Sequence, residues 1–194
     1  KRVELIPNGC DFNIVPKLGS KKRSNNKFVA AFTGAHGYAN GLDSVLDVAE
    51  LMVKKNISQI EFHFIGDGAL KPELMKRSKK QNLTNCIFVD PISKVELFEY
   101  LTTNVDVGLM ILKNIPAFYY GTSPNKFFDY ISLGLPIINN YPGWLADMIN
   151  KNNCGIVVKP NQTNDFMEAL ILLKKEKSLR DKMGRNSLIL AKNK

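Results

Sequence analysis

Residues Gly121 to Pro136 read G-T-S-P-N-K-F-F-D-Y-I-S-L-G-L-P, a loop that runs into a short helix stopped by Gly134. Pro124 has no amide proton to place inside a helix, so it suits a first turn. Thr122, Ser123 and Asn125 are candidate caps. The apolar run V-D-V-G-L-M-I-L lies just upstream, and P-I-I-N-N overlaps the end of the stretch. Both read as buried strands, so the helix starts at one edge of a parallel sheet. A helix amino end carries roughly half a positive charge and several free N–H groups. Lys126 adds a full cation in a turn that normally prefers an anion, a cost offset when an external anion docks there. Asp129 lies close to one turn further on and faces the same cleft. These residues suggest a phosphate at the helix start and a hydroxyl-bearing ring beside the carboxylate. The competing reading is a surface Lys–Asp pair on an ordinary helix.

Working outward, Phe28 to Phe32 is a continuous apolar run, the pattern of a strand buried on both faces. T-G-A-H-G-Y-A-N-G follows at 33–41, and then Leu42, Val45, Leu46, Ala49, Met52 and Val53 recur at helical spacing. In a strand, glycine-rich loop and helix of this kind, backbone amides can approach a phosphate without side chains in the way. The spacing G-x-x-G-x-x-x-G is not the dinucleotide fingerprint G-x-G-x-x-G. Glycines needed only for a tight turn would leave the same trace. His36 in this loop is a candidate ligand contact, with a solvent-exposed loop histidine as the alternative.

Ile60 to Ile65 is the next strand; mid-strand His63 is expected to pack against a helix, the alternative being a catalytic role, and G-D-G at 66–68 turns at the strand's carboxyl end. Ala69 to Gln81 reads as a helix with Pro72 in its first turn, and Ile87 to Val89 as a short strand. Ser93 and Glu96 form a capping-box pattern that opens a helix to about Leu101. Val105 to Leu112 and Pro136 to Asn139 are strands, Leu145 to Asn150 a short helix, and Ile156 to Val158 a short strand. Two amphipathic helices follow, one from Thr163 and one carrying Leu179, Met183 and Leu188. Near the start, V-E-L-I at 3–6 reads as a strand end, P-N-G as a turn, and 17–27 as an exposed, mobile basic loop.

This alternation predicts an α/β fold: a Rossmann-like, doubly wound parallel sheet of about six strands with helices on both faces. Ligands of such sheets bind outside the carboxyl ends of the strands. Those ends carry T-G-A-H-G, G-D-G, V-D-P-I-S and G-T-S-P-N-K. Four polar loops on one edge point to a nucleotide-type ligand more strongly than any one of them does.

Lys and Arg number 27 against 18 Asp and Glu, a net charge of +9. The excess fits attraction to an anionic ligand or membrane leaflet, and fits a genome-composition bias equally well. Aromatic residues are not interleaved with basic ones in a stacking pattern, which argues against nucleic acid as a partner. No apolar run approaches the ~20 residues of a membrane-spanning helix. Lys1 and Arg2 lead straight into V-E-L-I-P, without a signal-peptide h-region. Cys10, Cys86 and Cys154 are odd in number and widely spaced, which argues for a reducing compartment and against a disulfide framework. The two histidines, His36 and His63, have no Cys or carboxylate at ligand spacing, so no metal site is expected.

With these signals in order, the chain resembles the C-terminal, donor-binding half of a GT-B glycosyltransferase, and more narrowly the retaining family four, or group one, enzymes. I-P-N-G-C-D at 6–11 resembles the segment leading into that half. F-T-G-A-H-G-Y-A-N-G-L-D resembles the family's glycine loop and helix, F-I-G-D-G-A-L its G-D-G turn, and S-P-N-K-F-F-D-Y-I-S-L-G-L-P-I-I its nucleotide-sugar helix. The likeness covers nearly all of residues 1–194, read as one nucleotide-sugar-binding domain, with the acceptor-binding N-terminal domain outside this chain. It implies a nucleotide diphosphate sugar as donor, no cofactor and no metal. Asp129 stands at the second Glu of the family's ribose-binding pair; the first would fall at Gly121. The family's loop cations fall on Ala35 and Asn40, so Lys126 is expected to supply the charge the loop lacks.

The resemblance therefore implies donor phosphate binding by Gly34, Ala35, His36, Gly37, Asn40, Thr122, Ser123, Asn125 and Lys126. It places the ribose at Asp129 and the base at Asp67, Gly68, Val89, Pro91 and Ile92. Catalytic groups are expected in the missing half, so the piece alone should bind donor weakly and transfer no sugar. The expected activity is a retaining hexosyltransferase of bacterial cell-envelope polysaccharide biosynthesis. Its acceptor would be a glycan or lipid-linked sugar, and its place the cytoplasm, with peripheral contact at the inner face of the plasma membrane. The alternatives are a nucleotide-sugar epimerase of GT-B architecture, whose cleft would need proton-transfer groups among His36, Asp67, Asp90 and Asp129, and a non-catalytic Rossmann-like nucleotide- or partner-binding module.

Overall fold

The run F-V-A-A-F-T forms β1 (Phe28–Thr33), and all six of its residues are buried. Its side chains alternate between two cores, as the two-residue period of a strand requires. Phe28, Ala30 and Phe32 point to one face of the sheet, and Val29 and Ala31 to the other. The structure is a computed structural model that describes residues 8–10, 12, 15, 27–119 and 122–193. The strand end read at 3–6, the basic loop at 17–26 and Gly121 lie outside the described residues.

From β1 the chain runs through α1 (Asp43–Lys54), β2 (Ile60–Ile65), α2 (Lys71–Lys80), β3 (Cys86–Val89), α3 (Lys94–Asn104) and β4 (Val107–Met110). It continues through α4 (Asn125–Ser132), β5 (Ile137–Asn139), α5 (Trp144–Asn152), β6 (Gly155–Val157), α6 (Thr163–Lys175) and α7 (Lys177–Ala191). The six strands form one sheet in the order β3-β2-β1-β4-β5-β6, and every pairing is parallel. This is the doubly wound arrangement read from the sequence. The order reverses direction between β1 and β4, and a ligand crevice opens at such a switch point. The loops after β1 and β4 are therefore the ones whose chemistry matters.

One core lies beneath α1 and α6, built from Leu46, Met52, Phe62, Phe64, Phe166 and Leu170 among others. The second lies beneath α3, α4 and α5, with Phe98, Phe127, Tyr130 and Ile149. The Ser93 capping box forms as read: Glu96 N–H donates to Ser93 Oγ at 3.3 Å, and Ser93 N–H to Glu96 Oε2 at 2.9 Å. Gly134 adopts a left-handed φ of +67° just beyond α4, the stop expected of glycine there. β4 is shorter than the 105–112 run suggested. Asp106 turns aside to accept the Val29 N–H, and residues 111–113 leave the sheet to become loop. His63 is buried in β2 with Nδ1 2.8 Å from Tyr100 Oη of α3, a packed histidine as expected.

Candidate functional site

α4 is placed by Tyr130, the residue one turn beyond Lys126. Tyr130 is fully buried, and its hydroxyl takes the Thr33 N–H at 3.0 Å and donates to Ala31 O at 3.2 Å. Thr33 Oγ1 is hydrogen-bonded to the same hydroxyl at 3.1 Å. Gly108 of β4 makes room for the ring, because a Cβ there would overlap it. The amino end of α4 is thereby fixed against the carboxyl end of β1, at the switch point.

Lys126 belongs to the first turn of α4 and shares the Tyr130 face. Its Nζ lies 3.8 Å from the centroid of the Phe32 ring. Among the described residues the ammonium has no carboxylate or hydrogen-bond partner, and burial pushes its pKa down to about 7. A Cβ on Gly34 would sit 3.6 Å from Lys126 Cε and 3.7 Å from Nζ, so the bare glycine leaves space beside the cation. α4 has no side-chain cap, and its N-cap is Pro124. The sequence reading offered Thr122, Ser123 and Asn125 as caps, and the structure corrects this. Asn8 N–H donates to Ser123 Oγ at 3.0 Å, and Asn8 Nδ2 to Ser123 O and Asn125 Oδ1 at 2.6 Å each. Thr122 presents its carbonyl to Trp144 Nε1 at 3.0 Å.

The glycine loop is partly spent on the protein itself. Gly34 N–H donates to Ile65 O at 2.9 Å and His36 N–H to Asp67 O at 2.7 Å. Asn40 Nδ2 donates to Ala35 O at 2.7 Å and braces the loop. The amides of Ala35 and Gly37 have no partner among the described residues. His36 is not the exposed loop residue that was one of its two readings. Its side chain has no exposed surface, and among the described residues neither ring nitrogen has a hydrogen-bond partner. It sits 6.1 to 6.5 Å from the ring centroids of Phe32, Phe64 and Phe88. Burial chiefly, then Lys71, push its pKa down to about 4; Asp67 pulls it up, and Lys126 adds the smallest downward push.

Asp129 lies on α4 with its side chain 15% exposed, and Oδ1 is 2.6 Å from Lys94 Nζ at the start of α3. Burial raises its pKa while Lys94 pulls it down. Of the positions read as base-binding, Asp67 is exposed and its carboxylate takes the Gly68 N–H at 2.8 Å. Val89 O takes the Gly66 N–H at 3.1 Å, Pro91 is exposed and Ile92 half-buried. These five share the carboxyl edge, Asp67 and Gly68 just after β2, Val89 as the last residue of β3, and Pro91 and Ile92 after it.

Lys71, Lys94 and Asn8 carry site architecture that the sequence reading did not single out. Lys71 is buried, and its Nζ reaches Gly66 O at 2.9 Å, Val89 O at 3.4 Å and Asp90 Oδ1 at 2.7 Å. It ties the ends of β2 and β3 together. Only its place in the first turn after G-D-G hinted at it. Lys94 follows a capping serine, and nothing in its local spacing pairs it with Asp129. A separate cavity of about 240 Å³, lined by Asp106, Pro136, Arg180 and Arg185 among others, lies at the opposite edge of the sheet. Among the described residues no group of three or more His, Cys, Asp or Glu could hold a metal ion, and no helix is long and apolar enough to cross a membrane.

No curated protein matches the sequence. Solved structures share the fold. The C-terminal domain of the group 1 glycosyl transferase LpcC from Francisella tularensis aligns with a TM-score of 0.72 at 18% identity, over 96% of this chain and 98% of that one. WaaG, a glycosyltransferase involved in lipopolysaccharide biosynthesis, aligns with a TM-score of 0.75 at 15% identity, over 98% of this chain and 52% of that one. Anabaena HepE, solved with UDP and glucose, aligns with a TM-score of 0.75 at 13% identity, over 96% of this chain and 51% of that one. The chain thus spans about half the length of WaaG and HepE. The family model for glycosyl transferases group 1 matches residues 17–188, and the chain belongs to that family.

Proposed function

We propose that this chain is the donor-binding half of a nucleotide-sugar-dependent glycosyltransferase. In this reading the amino end of α4, Lys126 and the space beside Gly34 hold the donor's diphosphate, and Asp129 takes ribose hydroxyls. The observation that carries it is the Lys126 ammonium. It is desolvated, lacks an anionic partner among the described residues, and stands at an uncapped helix end where the dipole already disfavours a cation. A cation kept in such a place by the fold suits an anion that arrives from outside.

The chemistry follows from charge. As the sugar leaves the nucleoside diphosphate, negative charge gathers on the phosphate oxygens. The α4 dipole, the free amides of Ala35 and Gly37 and the Lys126 ammonium are fixed in advance where that charge develops, and such preorganised groups stabilise it without reorganisation. Binding is expected to be unchanged by a chelator. HepE was solved with UDP, which makes UDP the first probe. Within this proposal the transfer is a retaining one in envelope polysaccharide assembly. The acceptor and the catalytic groups belong to the other lobe, and the chain alone binds donor without turnover.

Thermal-shift measurement with UDP, GDP and ADP tests the reading. A nucleoside diphosphate should raise the melting temperature of the wild-type chain, and Lys126→Ala should remove the rise. Indifference to all three nucleotides would overturn it.

A further inference from the structure

Residues 8–10 lie against α4, more than a hundred residues away in sequence. Asn8 makes three hydrogen bonds there: its N–H to Ser123 Oγ, and its Nδ2 to Ser123 O and to Asn125 Oδ1. Cys10 follows with Sγ 3.5 Å from Phe128 O, one turn further along the same helix. The bonds fall on the two residues that flank Pro124, the N-cap.

Their placement has a chemical consequence. Pro124 has no polar side chain, so among the described residues the side-chain oxygens next in sequence to the first amides of α4 are those of Thr122, Ser123 and Asn125. Ser, Thr and Asn side chains take that position readily when nothing else holds them. Here Asn8 holds Ser123 Oγ and Asn125 Oδ1, and α4 carries no side-chain cap. The amides of Asn125 and Lys126 stay without a partner among the described residues, while the Phe127 N–H turns back to Pro124 O at 3.1 Å.

We infer that Asn8 is a positioning residue for the donor diphosphate: it draws the Ser123 and Asn125 side chains away from the amino end of α4 and keeps that end vacant for phosphate. This rests on the reading of the α4 end as the diphosphate site. Removing the Asn8 side chain releases both Nδ2 bonds, lets Asn125 and then Ser123 compete for the amides, and weakens diphosphate without touching the groups that hold a nucleoside.

Titration calorimetry of the wild-type chain, Asn8→Ala, Ser123→Ala and Lys126→Met with UDP and with uridine tests it, alongside melting temperatures. Asn8→Ala should bind UDP about fivefold more weakly, bind uridine as the wild type does, and melt close to it. Ser123→Ala removes one of the two competing side chains and should bind UDP no more weakly than the wild type, and in the Asn8→Ala background Ser123→Ala with Asn125→Ala should restore the lost affinity; no restoration overturns the inference. If Asn8→Ala does not fold, Asn8→Ser, whose side chain is too short to make both Nδ2 bonds, carries the test, and UDP affinity equal to wild type overturns the inference. If the wild type binds UDP, Lys126→Met loses it and Asn8→Ala keeps it, Asn8 has no positioning role although the diphosphate site stands. Equal losses of UDP and uridine in Asn8→Ala would mean general damage and would also overturn the inference. A wild-type chain blind to UDP removes the site itself, and the inference with it.

Discussion

The ammonium of Lys126 rests 3.8 Å from the centroid of the fully buried Phe32 ring. A cation over an aromatic face gains roughly 0.5–2 kcal/mol, which is small against the desolvation of a charge with no counter-ion. Lys126 is therefore expected to cost the ligand-free fold stability. Lys126→Met keeps the stem and the Phe32 contact and drops the charge. It should stabilise the chain by about 1–2 kcal/mol, read as a higher urea midpoint, while UDP binding falls roughly 10- to 100-fold. A structural lysine would behave in the opposite way, with stability lost and binding unaffected.

The same burial makes nucleotide binding depend on pH. In the free chain Lys126 titrates at about 7, and a bound phosphate favours the ammonium, so its pKa rises on binding. Below pH 7 both states are protonated and affinity is greatest. Above pH 7 binding must take up a proton, and affinity falls toward tenfold per pH unit until the pKa of the complex is reached. From pH 7 to 9 the terminal phosphate is at least about nine-tenths ionised, its second pKa being ~6, so most of the slope reports the lysine. Calorimetry in buffers of different ionisation enthalpy should register this proton uptake for UDP in the wild type and none in Lys126→Met. A flat affinity from pH 7 to 9 would contradict the assignment.

His36 sets a different pH dependence, one of stability. Its folded pKa of about 4 lies below the ordinary 6.5, so on acidification the unfolded chain takes up the proton first. Its contribution is fully present above pH 6.5 and is lost as the pH falls toward 4, about 3 kcal/mol in all. Of the charged groups near it, Lys126 titrates at about 7, above most of that interval. Urea midpoints measured from pH 7.5 to 4.5 should decline for the wild type and much less for His36→Leu, which fills the Phe32–Phe64–Phe88 cage without a titrating group.

The alternation of strands and helices was legible because buried parallel strands are unbroken apolar runs and the helices between them keep a 3.6-residue period. Gly134, Ser93 and Glu96 spoke through local geometry alone. The site was legible only in part, because its closing contacts are distant in sequence. G-D-G reads as a turn at the carboxyl end of its strand, but its spacing does not show that a Cβ on Gly66 would run into the Gly34 carbonyl, at a φ of +137°. The glycine is required by the neighbouring loop. Likewise T-G-A-H-G suggests a row of free amides, yet two of them are taken by Ile65 and Asp67. Asn8 with Ser123, and Lys94 with Asp129, are pairs that no local spacing could announce.

Lys94 and Asp129 supply the last prediction. The pair joins α3 to α4 at 2.6 Å, with the carboxylate mostly shielded and the lysine 44% exposed. A half-exposed ion pair of this kind contributes modestly, so a double-mutant cycle of Lys94→Met and Asp129→Asn should give a coupling of about 1 kcal/mol in stability. Binding should divide differently. If Asp129 accepts ribose hydroxyls, Asp129→Asn weakens UDP and uridine alike, each by roughly tenfold, and leaves inorganic pyrophosphate unaffected. Lys126→Met should do the reverse, losing pyrophosphate and UDP while keeping uridine. Lys94→Met frees Asp129 Oδ1 but removes the charge that holds its pKa down, so its effect on uridine should grow as the pH is lowered toward 5. Should Asp129→Asn leave uridine binding unchanged, the carboxylate serves the Lys94 pair alone and the ribose must be held elsewhere.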